Sequence, residues 1–186
     1  MSDSVADQED QDRRFLKVCS LLNEQGARYF VIGGYACILH GALRATEDVD
    51  LLIEDSPDNF RRVIAALSKL EDGIARELTE QDLADNLVIK ISDEIMIDVS
   101  KRAWTVTYDE AAPNGREEIV NEIRIPYLGL KDLIRSKQTY RAKDRLDLQL
   151  LIENSPEARE LMSADLAGNS GCLGKMRNLW KSLAGG

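Results

Sequence analysis

The stretch from Tyr29 to Ile53 leaves this chain few ways to fold. An apolar run, Tyr29-Phe30-Val31-Ile32, meets Gly33-Gly34 at once, and thirteen residues after that pair Asp48-Val49-Asp50 opens a second apolar run. Short β-branched and aromatic runs of this length read as strands, and glycine at their ends reads as a tight corner. Tyr35 to Leu39 fits a short helix stopped by His40-Gly41. The stretch is therefore a strand, a glycine corner opening a helix, and a second strand that carries two carboxylates.

The rest of the chain is organised around that unit. Residues 1–10 are polar and acidic and are expected to form a flexible tail. From Gln11 the positions Phe15, Val18, Cys19 and Leu22 follow helical spacing, with Gly26 as a stop. Asp55-Ser56-Pro57 caps a helix bearing Phe60, Val63, Ile64, Leu67 and Leu70, which Gly73 ends. Leu87–Ile91 and Glu94–Val99 read as strands joined by a tight Ser92-Asp93 turn, and Glu122–Pro126 as a further strand beyond a polar loop over 109–118. After Gly129 the pattern turns helical, breaks near Thr139, and resumes through Leu146, Leu150 and Leu151. A stretch rich in Gly and Ser near 167–174 precedes a short amphipathic segment carrying Leu173, Met176, Trp180 and Leu183. The expectation is an α+β domain: a core over 11–128 with a mixed sheet flanked by helices, and a helical C-terminal extension over 129–186.

Charge and composition exclude several classes. The net charge is −9, and Asp3, Asp7, Glu9, Asp10 and Asp12, with no base among residues 1–12, supply more than half of it. A globally basic nucleic-acid binder would look different, although a local basic groove is compatible with these numbers. No run of about 18 apolar residues occurs, so no membrane helix is expected, and the acidic start is unlike a signal peptide. Cys19, Cys37 and Cys172 fit no metal-ligand spacing and read as reduced thiols of a cytoplasmic protein. His40 is the sole histidine, which removes a His-based triad, a zinc site or a histidine–aspartate phosphohydrolase. It is expected to close the short helix.

The chemistry-bearing residues are carboxylates. Alternate side chains share a strand face, so Asp48 and Asp50 point one way and Val49 and Leu51 the other, with Cα atoms about 6.5 Å apart. Adjacent carboxylates repel, and a hard divalent cation, Mg²⁺ or Mn²⁺, is the simplest compensation; a solvated edge or a salt bridge to Arg44 is the alternative. In Ile95-Met96-Ile97-Asp98-Val99, Asp98 stands on the face opposite the three apolar residues. If that strand lies beside Asp48–Ile53, the carboxylates form one two-metal constellation, the third able to take a proton from the nucleophile. Gly33-Gly34 reads either as a plain turn or as a helix start whose N–H groups meet a phosphate.

Gly33-Gly34, the thirteen-residue interval, Asp48-Val49-Asp50 and the later Asp98 together resemble the polymerase-β-type nucleotidyltransferase fold. The fuller phrase from Gly33 to Ile53 is similar to the bacterial branch holding the AbiEii-type abortive-infection toxins. The likeness covers roughly 28–153, with close motif agreement at 31–53, around 98 and at 135–151. It implies Mg²⁺-dependent transfer of a nucleoside monophosphate from an NTP, ATP among them, to a hydroxyl. Asp48 and Asp50 would ligate the metals, and Asp98 would complete the site and serve as base. Gly33, Gly34, Tyr35, Arg44, Thr46, Lys137 and Lys143 would meet the nucleotide. Many members place Ser where Tyr35 stands, so either the phenol or the backbone replaces that hydroxyl.

Between Lys131 and Arg145 six bases face two acids. Lys137 falls on the stripe of Leu130, Leu133 and Ile134, which suits either a triphosphate contact or snorkelling at the helix end. Lys143 and Asp147 are spaced as a helical pair. Arg44 is placed to orient a phosphate or to pair with Asp48. The acceptor is an RNA end, a protein, or a small molecule such as an aminoglycoside or lincosamide, and a cognate antitoxin is a further expected partner. The rival reading is a non-catalytic nucleotide- or partner-binding module.

Overall fold

The computed structural model describes residues 2–168. Helix α1 (Ser2–Glu24) leads to strand β1 (Tyr29–Val31), helix α2 (Gly33–Leu39), strand β2 (Asp48–Ile53) and helix α3 (Pro57–Leu67). A 3₁₀ turn and helix α4 (Glu80–Asp85) precede the hairpin β3 (Val88–Ser92) and β4 (Met96–Ser100). A small ribbon, β5 (Arg102–Ala103) and β6 (Val106–Thr107), runs into helix α5 (Tyr108–Ala111), followed by the hairpin β7 (Arg116–Val120) and β8 (Ile123–Tyr127). Helices α6 (Leu130–Ser136), α7 (Ala142–Asn154) and α8 (Pro156–Gly168) complete the described chain.

One mixed sheet of six strands, in the order β3-β4-β2-β1-β8-β7, forms the centre. Strand β2 is antiparallel to β1 and parallel to β4, and β1 is parallel to β8. Because strand side chains alternate, each face feeds its own core. Val49, Leu51 and Ile53 of β2 join Ile97 and Val99 of β4 against Phe15, Val18 and Leu22 of α1 and Phe60 and Leu67 of α3. Leu52 turns to the other face with Phe30 and Leu128, where Leu133 of α6, Leu148 and Leu151 of α7 and Met162 of α8 cover it. Asp48, Asp50 and Leu52 share that second face, so β2 enters the second core at one end and leaves carboxylates at its rim at the other.

Local chemistry sets the element ends. The α1 stripe stops at Gly26, whose φ of +61° allows a Schellman closure with Gly26 N–H donating to Asn23 O and Ala27 N–H to Leu22 O. Ser56 Oγ accepts from Asn59 N–H at 3.3 Å to open α3, with Pro57 in its first turn. Thr79/Asp82 and Thr107/Glu110 form reciprocal capping boxes on α4 and α5.

Several sequence expectations change here. The segment 2–10, expected as an acidic tail, is helical from Ser2, and a 2.6 Å Asp10–Arg14 pair one turn apart ties its acids to the helix. The loop expected over 109–118 contains α5 and the start of β7. Arg116-Glu117-Glu118 shows no alternation because β7 is an edge strand with its residues exposed. The Gly/Ser-rich stretch from 169 onward and the segment with Leu173, Met176, Trp180 and Leu183 lie outside the described residues. Among those described, no helix is long and apolar enough to cross a membrane.

Candidate active site

Strand register sets the three predicted carboxylates on one face of the sheet. In the parallel β2–β4 ladder Asp50 is the Cα partner of Asp98, and Asp48 that of Met96. Neighbouring strands lie about 4.8 Å apart, so Asp50 and Asp98 are side by side with Asp48 two residues along the same face. The opposite faces of both strands are fully committed to the apolar core: Val49, Leu51, Ile97 and Val99 are at most 2% exposed. That burial fixes the register, since a one-residue slip would drive the carboxylates into the core.

The glycine pair shapes the other wall. Gly33 has a φ of +62°, and a Cβ built there would overlap the Asp50 carboxylate. One at Gly34 would overlap the Thr46 side chain and come within 3.2 Å of Arg44 Cζ. Ile32 N–H donates to Asp50 O at 2.9 Å, fastening the corner to β2. The pair therefore makes room for Asp50 and Thr46. Thr46 is buried and its hydroxyl donates to Asp48 O at 3.4 Å, bracing the entry to the strand.

Asp50 and Asp98 are under-compensated in different ways. Burial raises the Asp50 carboxyl above its ordinary pKa; Lys137 and Lys143 pull it down, and Asp98 and Asp48 push it up. Asp98 has one oxygen, Oδ2, 2.5 Å from Lys90 Nζ, while Oδ1 is buried with no partner. A hard cation would satisfy both defects. Among the described residues no three carboxylate, imidazole or thiolate groups converge on one point. The Asp98 carboxylate is turned toward Lys90 and that of Asp50 toward Gly33. The donor chemistry and the orphaned oxygen of Asp98 fit a divalent ion.

Behind this row lies a closed ionic network. Lys137, 7% exposed at its side chain, donates to Asp147 Oδ2 at 2.6 Å and lies 3.4 Å from Asp144 Oδ1. Arg44 pairs with Asp147, and Arg141 Nε donates to Asp144 Oδ2 at 2.6 Å, which also accepts from the Thr139 hydroxyl. Burial works against the Lys137 ammonium, yet Cys37, Asp147 and Asp144 outweigh it and hold its pKa above the ordinary lysine value. Burial likewise opposes the charged Asp144, and its bonds to Thr139 and Arg141 bring it below the usual carboxylate value.

The structure thus separates the predicted site residues. Asp48, Asp50, Asp98, Gly33, Gly34 and Thr46 meet at the rim of β2, and the charges of Lys137 and Lys143 reach Asp50. Lys143 is exposed, and Asp147, expected to pair with it one turn away, turns inward to Lys137 and Arg44, which compensate its buried charge. Arg44 pairs with Asp147 and not with Asp48. Tyr35 turns away from the carboxylates: its ring stacks on Phe15 at 3.9 Å, and its buried hydroxyl has no partner. His40 ends α2, its Nε2 2.8 Å from Leu128 O. A surface groove between α1 and β8, lined by Asp12, Leu16, Leu21 and Ile123, lies against α1, away from this face.

No protein-family model matches the chain, and no curated protein matches it either. Two residues of the site escaped the sequence reading: Asp144, hidden in a run of alternating charge, and Lys90. A lysine inside the apolar run Val88–Ile91 was the available signal for the second.

Proposed function

We propose that this protein is a divalent-metal-dependent nucleotidyltransferase with the polymerase-β-type fold, moving an NMP group from an NTP to a hydroxyl acceptor. The observation that carries the reading is the register Asp50↔Asp98 with Asp48 on the same face. Two carboxylates on one strand and a third on its parallel neighbour are a donor set that suits hard divalent ions, and two such ions can support phosphoryl transfer. Bound Mg²⁺ or Mn²⁺ would neutralise charge on the transferring phosphate and on the leaving pyrophosphate.

The residues of the chain have separate duties in this reading. Asp48 and Asp50 would hold the ions, with Asp98 Oδ2 completing the ligand set. Asp98, with Oδ1 unpartnered, is available to take the proton of the attacking hydroxyl as the new P–O bond forms and pyrophosphate departs. Lys137 acts from behind, its fixed charge favouring the ionised form of Asp50. Lys143, exposed and within electrostatic reach of Asp50, is the cation available to the triphosphate. Tyr35 and Arg44 hold the fold around the site.

The test presents α-³²P-labelled NTPs with Mg²⁺ to total RNA, to cell protein and to an aminoglycoside and lincosamide panel. The wild type labels one acceptor class, and Asp50→Ala lowers that labelling on the order of a thousandfold or more. Metal and NTP binding without labelling of any acceptor would leave the protein as a binding module.

A further inference from the structure

Lys90, Asp98 and Asp50 form one row across three strands: Lys90 is the Cα partner of Asp98 in β3–β4, and Asp98 that of Asp50 in β2–β4. Residues paired in this way share a sheet face, so an ammonium stands at the end of the carboxylate row. Its contact is direct, at 2.5 Å to Asp98 Oδ2, and it takes one of the two oxygens that a metal ligand would offer. The charges of Asp48 and Asp50 also act on it, so Lys90 lies in the combined field of all three carboxylates. Its side chain is 68% exposed on the edge strand, with no other ion pair among the described residues. The stem is free to swing into water without breaking any packing.

We propose that Lys90 is a tethered counter-cation of the carboxylate row, which a divalent ion must displace from Asp98 in order to bind. Metal-free, the ammonium sits on Asp98 Oδ2 and offsets the like-charge crowding of Asp98 beside Asp50. Metal-loaded, it leaves Oδ2 and returns to solvent. Lys90 is thus a positioning residue that sets the divalent threshold of the site. The inference rests on the reading of Asp48, Asp50 and Asp98 as metal ligands.

The test is Mn²⁺ binding to the full chain, followed by the electron paramagnetic resonance of free Mn²⁺ without nucleotide. Lys90→Met binds Mn²⁺ about fivefold more tightly than the wild type, the size expected for removing one exposed competing charge. Lys90→Arg, which keeps the charge, stays near the wild type. The gap between Lys90→Met and wild type narrows as KCl is raised, because the competition is electrostatic at an exposed group. Urea unfolding of the metal-free variants shows that each is folded. A cross-strand pair with a merely structural role would change that stability and leave Mn²⁺ affinity alone, and unchanged or weaker Mn²⁺ binding in Lys90→Met overturns the inference. Asp50→Asn and Asp98→Asn tell the two readings apart. If both lose Mn²⁺ while Lys90→Met does not gain it, only the role of Lys90 fails; if neither loses Mn²⁺, the metal reading fails and this one with it.

Discussion

Two groups of charged residues lie next to each other in this protein, and they are built on opposite principles. Under α6 and α7, Lys137, Arg44 and Arg141 enclose Asp144 and Asp147, which are each 1% exposed. On β2 and β4, three carboxylates share a face, one oxygen has no partner, and the nearest direct cation is an exposed lysine on the sheet edge. The closed group spends its charges on one another and fastens the C-terminal helices to the α2–β2 loop. The open group leaves charge uncompensated at the rim of the second core. The difference is one of compensation: the buried pair of carboxylates has its cations built in, and the row on the sheet does not.

The largest expected effect comes from opening the closed cluster. Asp147→Ala strips Lys137 and Arg44 of their buried partner and destabilises the fold by about 3–5 kcal/mol, read as a fall in the urea midpoint. A loss below about 1 kcal/mol would make the network a surface pair and erase the contrast with the carboxylate row.

Acid should then distinguish the two groups. Asp144 has a folded-state pKa below its ordinary value of 3.8, so its contribution is present above that value and is lost as pH falls through the folded pKa. In the wild type this adds to the acid limb of unfolding. Asp144→Asn is less stable at neutral pH, and its deficit shrinks as pH falls through that window. Lys137, raised above 10.5, keeps its contribution through neutral pH and loses it only at the alkaline extreme. Urea midpoints measured against pH for both proteins check the sign.

The open cluster responds the other way. Asp50→Asn removes a charge that burial and two neighbouring carboxylates disfavour, so the metal-free protein gains about 1 kcal/mol at neutral pH. Mg²⁺ narrows the gap by stabilising the wild type alone. Thermal unfolding with EDTA and then with Mg²⁺ measures it. A variant less stable than wild type in EDTA would mean that the carboxylate row is already compensated.

How much of this was legible in the sequence depends on the range of the interaction. The period of two placed Asp48 with Asp50 and Asp98 opposite Ile97 without any tertiary knowledge, and Gly33-Gly34 marked the corner. The Lys90–Asp98 pair was hidden by turn length: a two-residue Ser92-Asp93 turn would set Lys90 opposite Ile95. The chain instead pairs Ser92 with Met96 and leaves Asp93, Glu94 and Ile95 in the loop. The partners of Asp147 lie ten residues away and across the fold, at Lys137 and Arg44, and helical spacing alone named the wrong one, Lys143. Strand β7 carries its acids outward on an edge, where no alternation marks it.

Tyr35 is the smallest test and decides what the position after the glycines does here. A residue there that met phosphate would need its hydroxyl in the carboxylate site. The Tyr35 ring is instead in the first core, stacked on Phe15, with the hydroxyl buried and unpartnered. An unpaired buried hydroxyl is a cost, and deleting it without changing the ring removes that cost. Tyr35→Phe is therefore expected to be as stable as wild type or up to about 1 kcal/mol more stable, with nucleotidyl transfer unchanged. Tyr35→Ser would lose the stacked ring and fall by about 3 kcal/mol without restoring a phosphate contact, since the side chain leaves the corner toward α1. A drop in NTP affinity in Tyr35→Phe, with stability held, would instead put the phenol in the open cluster and reverse its assignment.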